Sequence, residues 1–127
     1  MKRTLSLFLM LVLLLLAGCN DPKPLIDALH RAEALMDEDP DSAWAVLNTL
    51  SPDEMGQNRT RAHYALLYTQ AQDKTYRDET NDSLINIAVD YYRHTDDARR
   101  KFLSYYYKGT SGEARAMLIL SKLLLTL

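Results

Sequence analysis

The chain has one cysteine, four glycines and four prolines in 127 residues. A single cysteine leaves no intramolecular disulfide to form, and no Cys/His set for a structural zinc. Valine and isoleucine are sparse, and no alternating apolar/polar run reaches strand length, which argues against β structure. No glycine-rich phosphate loop and no serine in a nucleophile-elbow context are present, so no catalytic constellation is visible and no cofactor is called for. The histidines, His30, His63 and His94, lie too far apart to form a helical i, i+4 metal pair, and each is expected at the surface. The longest apolar run, Leu5 to Leu16, is interrupted only by Ser6. As a helix it reaches about 18 Å, short of the roughly 30 Å hydrocarbon core of a bilayer.

That run has a purpose other than spanning. Lys2 and Arg3 precede it, and the small residues Ala17 and Gly18 follow, the layout of a secretory signal. Residues 1–18 are therefore expected to be removed. Leu16-Ala17-Gly18-Cys19 resembles the bacterial lipobox. The resemblance implies that the Cys19 thiol is linked to diacylglycerol and becomes the acylated N-terminus of the mature chain. Two or three acyl chains give stable membrane attachment where one is marginal. The implied location is the bacterial cell envelope, the outer membrane favoured over the inner, with the membrane itself as a partner through lipidated Cys19.

Charge is uneven along the remainder. Residues 19–58 hold nine acids and two bases, whereas residues 59–127 hold eleven bases and eight acids. This mild excess is too small to argue for nucleic acid, and export argues further against it. Arg99, Arg100 and Lys101 are expected on a solvated helix face. Asp37, Glu38, Asp39 and Asp41 are expected at a solvated helix junction.

Residues 19–24 read as a tether. Beyond it, residues 25–127 read as one helical domain. Leu25, Ala28, Leu29, Ala32, Leu35 and Met36 make a stripe at helical spacing. Asp39 suits a cap and Pro40 the first turn of a second helix carrying Ala43, Trp44, Val46, Leu47 and Leu50. A third helix is expected from about Arg59 to Lys74, with an apolar set too wide for a single contact. A fourth follows Asn81 or Asp82, and a fifth is capped by Asp96 or Asp97 and broken at Gly109 to Gly112. A sixth, nearly all apolar, runs from about Glu113 to the end. Odd-numbered helices start near residues 25, 59 and 97, intervals of 34 and 38 residues. A near-fixed period of helix pairs marks an α-solenoid.

Here the chain resembles a bacterial tetratricopeptide-repeat lipoprotein. Tyr105 and Gly109 match the large residue and glycine of the repeat's first helix. Ala116 and Leu120 match the second-helix pair, as do Ala88 and Tyr92 in the middle repeat. The last pair is about five residues short of the repeat, so it is irregular or incomplete. The resemblance implies an all-α, right-handed solenoid of about three hairpins. It implies a non-enzymatic scaffold that binds a protein or peptide; the alternative is a non-catalytic sensor or ligand-binding module. Tyrosines joining an apolar body to a polar tip suit such a surface, and the candidates are Tyr91, Tyr92, Tyr105, Tyr106 and Tyr107. Three consecutive helical positions span about 200°, so at least one of the last three faces the core. The apolar segment 113–127 is expected to drive self-association.

Overall fold

The computed structural model describes residues 1–17, 20–77, 82–110 and 120–126. Among them every regular element is helical: α1 (Lys2–Ala17), α2 (Lys23–Leu35), α3 (Pro40–Asn48), a 3-10 turn (Pro52–Glu54), α4 (Asn58–Lys74), α5 (Ser83–Tyr92) and α6 (Ala98–Thr110). Residues 120–125 are helical as well. No helix among the described residues is long and apolar enough to cross a membrane. The leucines of α1, including Leu5, Leu9 and Leu13, are exposed.

Local chemistry sets the helix ends. Asp39 caps α3 as expected: its Oδ1 accepts from the Ser42 backbone N–H at 3.1 Å and its Oδ2 from the Ser42 hydroxyl at 2.6 Å. Pro40 fills the first turn, where its missing N–H costs nothing. At α6 the cap is Asp97, whose Oδ1 takes the Arg100 N–H at 3.0 Å. Asp82 occupies the position before α5 without a side-chain capping bond. Helix α6 ends at Thr110, inside the break expected over Gly109 to Gly112, with Gly109 in its last turn. A helix accepts one glycine near its end for about 1 kcal/mol.

The helices pack in sequence order. Each of α2 to α6 lies against the next, and α4 also touches α2 and α6. Two cores result. Leu25, Leu29, Met36, Leu47, Met55 and Leu67 join α2, α3 and α4. Ala62, Leu66, Ile85, Ala88, Tyr92 and Tyr107 join α4, α5 and α6. Helix α4 belongs to both, which explains its wide apolar set: a helix covered on opposite sides has no long polar face. Consecutive residues Leu66 and Leu67 point into different cores. Ala62, Ala65 and Ala71, all fully buried, let the neighbouring helices approach. On the rim of the first core Trp44 lies 4.7 Å from Tyr68, and Arg77 covers the indole at 4.7 Å.

The junction of residues 37–41 is tied to the end of α4 by two exposed pairs, Asp37–Lys74 at 3.1 Å and Asp41–Arg77 at 3.5 Å. Pairs this exposed contribute little. A stronger tie lies at the other end of the domain. Asp21 Oδ1 accepts the Gly56 N–H at 2.6 Å, and its Oδ2 accepts the Gln57 N–H at 3.2 Å. Glycine favours this approach, since a Cβ at position 56 would stand 3.2 Å from Asp21 Oδ1 and the carboxylate would have to shift by a few tenths of an ångström. The expected tether 19–24 is thus docked from Asp21 onward, and Lys23 and Pro24 already belong to α2.

Candidate binding groove

Helix α4 lies between α2 and α6 and touches both. Between them is a half-open cavity of about 440 Å³. Ile26 and Leu29 of α2 supply apolar wall, as does Tyr92 of α5. His30, Arg59, His63, Tyr91, Asp97 and Arg100 supply polar atoms.

One edge of the cavity carries an ion cluster that joins all three helices. Glu33 of α2 accepts from His63 Nε2 of α4. It also accepts from Arg99 Nη1 at 3.0 Å, and from Arg100 Nη2 at 3.1 and 3.0 Å on its two oxygens. Arg100 is held a second time by Asp97, Nη1 to Oδ2 at 2.8 Å. Burial by itself would push the Glu33 carboxyl up, but the hydrogen bonds from Arg100 and His63 and the guanidinium charge outweigh it, and the group ends below its ordinary value. Burial pushes His63 down, and the opposing pull of Glu33 does not restore it. Asp97 is lowered by its bonds from the Arg100 backbone N–H and guanidinium. At neutral pH the cluster therefore holds two carboxylates, two guanidiniums and a neutral imidazole.

This corrects two expectations. His63 is buried rather than superficial, whereas His30 and His94 are exposed as expected. Arg100 is not on a solvated face: it turns inward to two carboxylates, while Arg99 stays mostly exposed at the cluster's outer side. The signals were present but non-local. Glu33 directly follows the buried Ala32 on the apolar stripe of α2, and His63 sits between Ala62 and Tyr64 on a helix buried almost throughout. Nothing within either helix names the partner 30 residues away for His63 or 66 and 67 residues away for the arginines.

The tyrosines divide. Tyr91 is half-buried and borders the groove cavity and a second hollow on the far side of α5. Tyr92 and Tyr107 are core residues, with burial pushing both phenols up, Tyr107 to about 12. Tyr105 and Tyr106 are half exposed, and Phe102 stacks on Tyr106 at 6.2 Å. Ala88 and Tyr92 are both buried. Among the described residues a Cβ at Gly109 would meet nothing within 4 Å. Cys19, Ala116 and most of segment 113–127 lie outside the described residues. Leu120, Leu123 and Leu124 are described, and they are exposed.

No protein-family model, no curated protein and no solved structure matches the chain.

Proposed function

We propose that the chain is a lipid-anchored scaffold of a bacterial cell envelope, a right-handed solenoid of tetratricopeptide-like hairpins that holds a protein or peptide in the groove of α2, α4 and α6. The observation that carries this reading is the packing order: each of α2 to α6 meets its sequence neighbour, and α2, α4 and α6, with the end of α5, border a half-open cavity. Nearest-neighbour packing of this kind builds an extended concave surface in repeat proteins. The anchor rests on the lipobox resemblance at Cys19. The short α1, about 24 Å as a helix, and its exposed leucines support a removable leader rather than a span. The test is capture from native membranes with the full chain, alongside a variant carrying Arg59→Glu and Tyr91→Ala. A protein partner recovered by the wild type and lost by the variant supports the groove; a partner retained by both places the interaction elsewhere.

The cavity favours a second reading, a non-catalytic sensor or ligand-binding module. Its volume falls within the roughly 300–1,000 Å³ typical of small-molecule sites. A bound metabolite with no co-purifying protein would favour it.

A further inference from the structure

Three donors from two helices converge on the one carboxylate of Glu33. Two of these donors have a hold independent of that carboxylate. Asp97 holds Arg100 both through the guanidinium and through the backbone N–H, and His63 is fixed by burial in α4. Without Glu33, Arg100 would still present Nη2 toward the same point. The cluster is also reachable. The Glu33 side chain is 21% exposed and that of Arg99 64%, and Arg100 and His63 border the cavity directly. Removing a buried carboxylate outright leaves charges uncompensated, which is costly. Exchanging one carboxylate for another keeps the charge balance and the bidentate geometry that guanidinium groups favour. Beside the donors, Ile26 and Tyr91 offer apolar wall for the body that carries the incoming acid.

We propose that Glu33 is an internal occupant of a carboxylate site built by Arg99, Arg100 and His63, and that a carboxylate on an apolar body entering the adjoining cavity displaces it. The ligand is an acidic side chain flanked by apolar residues or a free organic acid. The inference rests on the groove reading and adds to it an intramolecular competitor: the resting chain masks its own acid site, and binding frees the α2 carboxylate from α6.

The experiment titrates the full chain at low salt with two probes, the peptide acetyl-Leu-Glu-Leu-Glu amide and free phenylacetate. Wild type should bind weakly. Glu33→Ala should bind at least one probe tenfold or more tightly, and adding Arg100→Met should abolish that gain. A gain confined to the peptide assigns the acid to a protein partner; a gain confined to phenylacetate assigns it to a free acid. No gain with either probe in a helical Glu33→Ala chain overturns the proposal. If that variant does not fold, saturating probe on wild type must move the His63 ring-nitrogen resonances as Glu33 leaves, and unmoved resonances overturn it equally. Partner capture that still depends on Arg59 and Tyr91 while these titrations fail would sink the displacement alone and leave the groove standing.

Discussion

Leu29→Ala separates a chain of stacked hairpins from a single cooperative globule. Leu29 is fully buried in the core that joins α2, α3 and α4, and it is not part of the core that joins α4, α5 and α6. Truncating a fully buried leucine removes its transfer free energy and leaves a cavity, together about 3 kcal/mol. Small domains have only roughly 5–15 kcal/mol in total. If stability is a sum of hairpin terms and nearest-neighbour interfaces, the loss stays local. Opening of α2 and α3 then becomes easier by about 3 kcal/mol, a factor of roughly 150 in amide exchange protection at 1.4 kcal/mol per decade. Helix α5, which contacts neither α2 nor α3 extensively, should keep its protection within about threefold. Ile85→Ala, in the second core, should give the mirror image, with α5 and α6 loosened and α3 unchanged. Native-state hydrogen exchange read helix by helix decides. Equal loss of protection in α3 and α5 for both variants would show that the two cores open together, and the repeat architecture would lose its energetic basis.

Acidification should weaken the groove in two stages. His63 is lowered from 6.5, so its neutral form stabilises the fold above that pH and the contribution is lost as pH falls through its folded value. Glu33 and Asp97 are lowered from 4.5 and 3.8, so their contributions disappear only in stronger acid. Thermal melts from pH 7.5 to 3 should show both stages, and His63→Gln should remove the first; a profile unchanged by that substitution refutes the assignment. Cys19→Ala should abolish lipid labelling and leave an unprocessed precursor or a released protein, read by mass and by detergent-phase partition; wild-type mass and partition would exclude the anchor. Replacing Leu120, Leu123 and Leu124, all exposed, with polar residues should reduce sedimenting aggregates at little cost in melting temperature. An unchanged sedimentation profile would clear the segment of a role in association.

Helix positions were legible because they are written locally. Asp39-Pro40 announces a cap and first turn, and the stripe from Leu25 to Met36 has the helical period, so the ends of α2 to α4 lie within a few residues of expectation. The width of the apolar set on α4 likewise foretold a helix covered on both sides. The ion cluster was illegible for the opposite reason. Arg99-Arg100-Lys101 looks like any solvated basic run, and only the folded chain shows that Arg100 turns toward Glu33. The Asp21 clamp was missed because Asn20 to Pro24 has the polar composition of a linker, while its partners are backbone N–H groups that carry no sequence signature.

That clamp changes what anchorage would mean. With acylation at Cys19, only two steps of chain separate the lipid from a residue bonded to the start of α4, a reach of about 7 Å at full extension. This is less than the diameter of one helix, about 10 Å. The body would then be mounted on the bilayer rather than leashed to it. Its groove would sit at nearly constant height and tilt, sweeping only by rotation about the membrane normal. Encounter with a second membrane-bound molecule would then be a two-dimensional search between pre-aligned surfaces. Gly56, without a side chain of its own, would help set that geometry by leaving room for one carboxylate.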